Sequence, residues 1–317
     1  MPASPPPVLT IGTRGSPLAL RQAEMTRDLI AQAHGMEPDE IAIKVISTGG
    51  DRSQSSNAPL SEIGGKGQFS KEIEDRLISG EIDLGVHSTK DMATSLPQGL
   101  KMDVFLPRED IRDALMSRGG IRFDDLREGA VLGTSSIRRA AQLLRERPDL
   151  NRIEFRGNVA TRMKKLDDGV ADATLLALAG LKRLGMERSA TEILDPERFL
   201  PAPAQGAIGL EIREGDTRLA DLIGPLNDHQ THQAVTAERA FLAGLDGSCR
   251  TPIGALTKRE GGELTLIGEI LSLDGAERFR ALTSGPAEDA AGIGADVARQ
   301  LRKLAGQAFF DALDLRG

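Results

Sequence analysis

The stretch VLTIGTRGSPLAL (Val8–Leu20) sets the pattern for most of the chain. Val8–Arg14 reads as a strand and SPLAL as the opening of a helix. Ser16 is the N-cap and Pro17 takes the first helical position, where its missing N–H costs nothing. The unit recurs downstream. IAIKVIST (Ile41–Thr48) is a second strand, and FSKEIEDRLISG (Phe69–Gly80) has helical spacing closed by a glycine. IDLGVHS (Ile82–Ser88) and MDVFLPR (Met102–Arg108) are further strands. Strands alternating with helices predict parallel or mixed sheets with helices on both faces. A second run follows the same logic, with strand, turn and helix in AVLGTSSIRRAAQLL (Ala130–Leu144), RIEFRGNVATRMKKL (Arg152–Leu166) and DATLLALAGLKRLG (Asp172–Gly185). LPAPAQGAIGLEIR (Leu200–Arg213) then leads through a proline-rich hinge into another strand, which returns the chain to the first lobe.

The tail is built differently. Thr251–Gly285 holds three strand-like runs joined by GG and DG turns, an antiparallel meander. Ala287–Leu313 reads as one helix. The expected fold class is therefore α/β: two lobes with mixed sheets, plus a small C-terminal α+β domain on a three-stranded antiparallel sheet. The expected boundaries are 1–107 with 205–226 for the first domain, 108–204 for the second and 227–317 for the third.

Composition narrows the function. At 317 residues the chain suits two or three domains. Its one cysteine excludes an internal disulfide and fits a reducing compartment. The start, MPASPPPVLT, has neither basic residues nor an apolar run, and no segment approaches the ~20 apolar residues of a membrane span. A cytoplasmic protein without membrane contact is expected. Trp and Tyr are absent and the formal net charge is −7, so nucleic acid is not an expected partner. The four histidines and single cysteine form no metal-binding motif, and no metal is expected. Yet there are 30 arginines to 10 lysines. Arginine grips carboxylates and phosphates with a planar fork, although a GC-rich genome would produce the same bias.

Position separates those two explanations. VHSTKDM (Val86–Met92) follows a strand end, where ligands of open α/β sheets gather. Lys90 and Asp91 would stand there with His87 and Ser88; alternatively, Asp91 caps the next helix and Lys90 is solvated. GTSSIRR (Gly133–Arg139) puts Ser135, Ser136, Arg138 and Arg139 at a helix start, as either an anion site or an ordinary cap. Arg156 and Arg162 in FRGNVATR, Arg183 in GLKRLG, and Arg14 beside Ser16 repeat the device. IGGKGQF (Ile63–Phe69) lacks the spacing of a phosphate loop and reads as a glycine-rich segment from which Lys66 reaches the cleft. Cys249 lies in GLDGSCRTPIG (Gly244–Gly254), the loop that enters the tail sheet, next to Arg250.

Taken together, TRGSPLAL, GGKGQFSKEIE, VHSTKD, GTSSIRR, RGNVATR, LALAGLKRLG, PAPAQGAIGLE, TAERAFL and GSCRTPIG, in that order, resemble the porphobilinogen deaminase (hydroxymethylbilane synthase) family over nearly the whole chain. The resemblance implies three domains, two of them lobes like those of type II periplasmic binding proteins. It implies a dipyrromethane cofactor attached to Cys249 through a thioether and built from two molecules of the substrate, porphobilinogen. It also implies a stepwise reaction in which porphobilinogen loses ammonia and the resulting cation is attacked by the terminal pyrrole. Four rounds and a hydrolysis release the linear tetrapyrrole 1-hydroxymethylbilane.

Asp91 matches the family's catalytic aspartate. Arg14, Arg138, Arg139, Arg156, Arg162 and Arg183 match its carboxylate-binding arginines, aided by Ser16, Lys90 and Ser136. Lys66 matches a lid segment, and Gln205 lies in the hinge strand. A monomer is implied. Thr89 stands where other members often carry Met, and Ser248 and Arg250 where Gly and Gln are common. The rival reading is a non-catalytic anion-binding protein of the same two-lobed architecture, which would have no reason to combine Cys249 with Asp91.

Overall fold

The structure, a computed structural model, describes residues 8–49, 70–245 and 251–314. The chain divides into two compact units. The first takes its described residues from 1–56, 67–108 and 207–232, and the second from 57–66, 109–206 and 233–317.

The chain begins with strand β1 (Leu9–Arg14), helix α1 (Pro17–His34) and strand β2 (Ile41–Ile46). Helix α2 (Lys71–Ile78) and strands β3 (Leu84–Ser88) and β4 (Leu100–Phe105) follow. Next come β5 (Asp113–Ser117), β6 (Val131–Gly133), α3 (Ile137–Glu146) and β7 (Asn151–Ile153). Helix α4 (Val159–Asp167), β8 (Ala173–Ala177), α5 (Leu178–Arg183) and β9 (Glu192–Ile193) complete that stretch. The chain returns through β10 (Ile208–Arg213), α6 (Thr217–Ile223) and α7 (His229–Gly244). It ends with β11 (Ile253–Glu260), β12 (Glu263–Leu271), β13 (Arg278–Pro286), α8 (Ala290–Ala305) and α9 (Gln307–Asp314).

The sheet of the first unit has the order β2–β1–β3–β10–β4. Strand β1 runs parallel to β2 and β3, while β10 is antiparallel to both β3 and β4. In the second unit the order is β7–β6–β8–β5–β9, with β6 parallel to β7 and β8, and β5 antiparallel to β8 and β9. One plan is used twice: the fourth strand alone is reversed, and in each sheet it follows a crossing of the chain. These are the mixed sheets expected from the strand and helix alternation.

Local chemistry explains the helix starts. Ser16 Oγ accepts from Ala19 N at 3.3 Å and Pro17 opens α1, as its sequence predicts. Helix α1 buries Ala23 and Ile30 against Leu9, Ile11 and Leu84 of the sheet. Each such large side chain taken from water contributes about 1.5–3 kcal/mol.

The second unit holds separate cores: one around Leu115, Leu132 and Phe199, one around Phe155 and Leu176, and one around Phe241, Leu266 and Val297. The last lies between the antiparallel sheet β11–β12–β13 and helices α7 and α8.

Some expectations needed correction. The single terminal helix is two, because Gly306 takes φ 74°, a left-handed conformation in which the helix cannot continue. Strand β2 stops at Ile46, two residues short of the expected end, and β4 lies slightly earlier than Met102–Arg108. Strands β5 and β9 and helices α6 and α7 were not anticipated. Among the described residues no helix is long and apolar enough to cross a membrane.

Candidate functional site

Strands β1 and β3 are neighbours and parallel, so their carboxyl ends open on the same edge of the sheet. A concavity there is lined by Arg14, Ser16, Gln22, Ser88 and Asp91. Arg14 is the last residue of β1 and half-buried. Ser16 follows it in the turn, which Thr13 tightens by donating from Oγ1 to Ala19 O at 3.2 Å. From α1, Gln22 Nε2 donates to Ser88 Oγ at 2.9 Å and holds the end of β3. Asp91 closes a 3-10 turn, Thr89–Asp91, directly after β3, and its side chain is exposed. Lys90 sits in the same turn, half-buried. The helix-cap alternative for Asp91 therefore does not hold: no helix follows before β4.

Beneath this rim lies a buried acid–base cluster. His87 Nε2 and Glu211 Oε2, on the paired strands β3 and β10, are 2.9 Å apart, and both side chains are buried. Glu211 Oε1 has no hydrogen-bond partner among the described residues. Burial pushes the nearby Glu74 carboxyl above its ordinary range, and the Glu211 charge adds to that.

The second unit gathers another set. Ser136 caps α3, its Oγ accepting from Arg139 N at 3.4 Å, and Ser135 Oγ accepts from Phe155 N. Arg138 and Arg139, in the first turn of α3, are 5% and 6% exposed despite their charge. Both reach one carboxylate, that of Asp113: Arg138 Nη2 donates to Oδ2 at 2.8 Å and Arg139 Nη2 to Oδ1 at 2.7 Å. Gln205 Nε2 donates to the same Oδ1 at 2.9 Å and to Ile111 O. Arg138 Nη1 also donates to Gln142 Oε1 and Leu200 O, and Arg139 Nη1 to Leu175 O. Gln142 Nε2 in turn donates to Glu269 Oε1 on β12, and Arg280 Nε to the other oxygen of Glu269. A buried polar chain thus runs from Asp113 to the sheet that begins just after Cys249.

Arg183 ends α5 and donates from Nη2 to Gly206 O at 2.6 Å; burial pulls its guanidinium down to about 10, so it is still charged at neutral pH. Arg156 is buried beyond the end of β7, and Arg162 Nε in α4 donates to Gly157 O. Two donors stand out. Arg139 Nε and Arg183 Nε are buried and have no acceptor among the described residues. A buried N–H normally has a partner, so these arginines suit a ligand that brings acceptors of its own.

Lys66, Cys249 and Arg250, with Ser248, lie outside the described residues. Sequence reasoning missed Asp113, Gln142 and Glu211. Asp113 opens a short strand with no motif around it, and its partners lie 25, 26 and 92 residues away.

The sequence matches the family model described as "Porphobilinogen deaminase, dipyromethane cofactor binding domain" over residues 9–221. It matches "Porphobilinogen deaminase, C-terminal domain" over residues 232–303. Over 303 residues it is 54% identical to a porphobilinogen deaminase of Paracoccus denitrificans (strain Pd 1222), covering 96% of each chain. Among solved structures it is similar to a periplasmic sulfonate-binding protein of Methylobacillus flagellatus KT, at 12% identity and TM-score 0.38, over 75% of this chain and 68% of that one. A periplasmic binding protein of Salmonella typhimurium with high arginine specificity is similar at 12% identity and TM-score 0.37, over 73% and 93% of the two chains.

Proposed function

The chain belongs to the porphobilinogen deaminase family, and we propose from that premise that Asp91 is its catalytic carboxylate. It is a transferase that uses a dipyrromethane cofactor and condenses porphobilinogen into a linear tetrapyrrole. When bound, the dipyrromethane would supply the free pyrrole carbon from which the chain of porphobilinogen units grows.

The observation that carries the assignment is the meeting of Arg14, Ser16 and Asp91 in one concavity at the carboxyl ends of β1 and β3. A substrate pyrrole bears two carboxylates, which Arg14, Ser16 and Lys90 are suited to hold by charge and hydrogen bonding. Asp91 is then an anion near the ring. Positive charge develops on the pyrrole nitrogen as ammonia departs, and a carboxylate beside it stabilises that charge. Arg138, Arg139, Arg156, Arg162 and Arg183, with Ser136 and Gln205, take the carboxylates of cofactor and growing chain. The Nε donors of Arg139 and Arg183, without an acceptor among the described residues, support that reading.

Cys249 is the attachment point through a thioether, being the chain's only thiol, and Lys66 is a further cofactor- and substrate-binding residue. The separate cores of the second unit support treating 108–204 and 227–317 as distinct domains beside 1–107 with 205–226. The enzyme is assigned to the cytoplasm as a monomer that binds no nucleic acid.

Asp91→Asn tests the catalytic role. The variant takes up the cofactor, while porphobilinogen consumption falls by about 10²–10³. Consumption near the parental rate would remove Asp91 from the mechanism.

A further inference from the structure

We propose that Asp113 is the positioning residue of the arginine pair: its one buried carboxylate sets the direction in which Arg138 and Arg139 offer themselves to the cofactor. The inference rests on the reading of Arg138, Arg139 and Gln205 as cofactor-binding residues and names what holds them in place.

Two adjacent guanidinium groups repel each other and lose their hydration when buried, and neither cost is bearable without a counter-charge. Asp113, 2% exposed, is that counter-charge. One oxygen takes Arg138, and the other takes Arg139 and Gln205. Burial by itself would raise the carboxyl's pKa. The charges of Arg138 and Arg139, with the hydrogen bonds from Arg139 and Gln205, more than reverse this and hold it well below the ordinary range. The triad keeps one net positive charge, which matches a single ligand carboxylate.

Direction follows from the donors. A guanidinium has five N–H groups in a rigid plane. Arg139 is fixed at Nη1 by Leu175 O and at Nη2 by Asp113 Oδ1, and both bonds are needed to orient the plane. Those bonds use two of the five N–H groups, and the ones left, among them the buried Nε–H without an acceptor among the described residues, are what the plane offers to an incoming oxygen. Without Asp113 the plane turns about its remaining bond to Leu175 O. Asp113 also stands where the chain has just crossed into the second unit, and Gln205 where it is about to leave. Through Gln205 the carboxylate ties those two segments to the arginine pair.

The test is a double-mutant cycle on the full-length protein using Asp113→Asn, Arg139→Gln and the two combined. Each variant is incubated with porphobilinogen at a temperature where circular dichroism shows it folded, and the covalently loaded fraction is followed by intact mass. Loss of a charge-assisted hydrogen bond predicts that each single variant loads about ten- to a hundredfold more slowly. In the double variant Asp113→Asn is expected to slow loading by clearly less than it does alone, because the part of its effect that runs through Arg139 is already lost and only the part through Arg138 remains. Independent, multiplying defects would indicate a merely structural role and overturn the proposal, as would parental loading in Asp113→Asn. If Asp113→Asn does not fold, Asp113→Glu, which keeps the charge but displaces it, is read in the same way. Failure of both to fold also overturns the proposal, since the carboxylate would then be holding the fold. Parental loading in Arg139→Gln is a different result: it rejects the arginine site itself.

Discussion

Replacing Arg138 by alanine should cost stability as well as cofactor binding, and the structure sets the size of that cost. The substitution removes a donor from Gln142 Oε1, from Leu200 O and from Asp113 Oδ2. Leu200 O keeps its bond from Gln142 Nε2, and Asp113 Oδ1 keeps Arg139 and Gln205. Gln142 Oε1 and Asp113 Oδ2 lose the only side-chain donors seen for them among the described residues. Breaking a buried ion pair from one side costs about 3–5 kcal/mol. Arg139 still neutralises the aspartate, which places the loss at the low end, about 3 kcal/mol. For a unit of this size each kcal/mol is about 2–4 °C, so the melting temperature should fall by about 6–12 °C. Thermal unfolding of parent and variant, each with its cofactor content measured by mass, supplies the comparison. A melting temperature within about 2 °C of the parent, at equal cofactor content, would refute the reasoning and show that the Arg138 contacts carry little stability.

Other predictions follow from single contacts. Gly254→Ala would place a Cβ 2.7 Å from Leu200 Cβ and 3.2 Å from Leu200 O, against backbone that cannot give way cheaply. Overpacking predicts a loss of about 1–3 kcal/mol by thermal or urea unfolding. Glu74 has a raised pKa in the folded protein, so its contribution to stability is fully present below its ordinary value of 4.5 and is lost as pH rises through the folded value. Glu74→Gln should therefore be more stable than the parent at neutral pH, by up to about 1.4 kcal/mol for each pH unit between the two values. The advantage should vanish below pH 4.5, which unfolding curves across that range will check.

What the sequence made legible was local. Ser16 before Pro17 marks a helix start within four residues, and the structure has it there. The strand ends carrying Arg14 and Asp91 could be placed because parallel strands deliver their carboxyl ends to one edge, and that edge is where the concavity lies. What stayed hidden was long-range. Asp113 looks like any acidic residue at a strand start, and only the folded chain brings Arg138, Arg139 and Gln205 onto it. The arginines were legible as candidate anion binders, but not the fact that Arg138 gives three of its five N–H groups to protein acceptors and is tied through Gln142 to Glu269. Gly306 was read through as helix because its neighbours on both sides are helix formers; the left-handed turn there is a tertiary decision.

Architecture and chemistry meet in the reuse of one sheet plan. In each unit, parallel strands end in a turn that carries an arginine or a hydroxyl, and the reversed fourth strand brings in a buried acid: Glu211 on β10 behind His87, and Asp113 on β5 beneath the arginine pair. Arg138 and Arg139 can be buried here because each is met by the Asp113 carboxylate and by a carbonyl.

The central claim is that this arginine-rich chain is built around a polycarboxylate cofactor held on Cys249. Its most direct test is the intact mass of the purified protein under denaturing conditions, before and after incubation with porphobilinogen, followed by peptide mapping. A mass excess of two condensed pyrrole units on the peptide containing Cys249 is the predicted result. A bare polypeptide mass after that incubation, or an adduct on any other residue, would contradict the account.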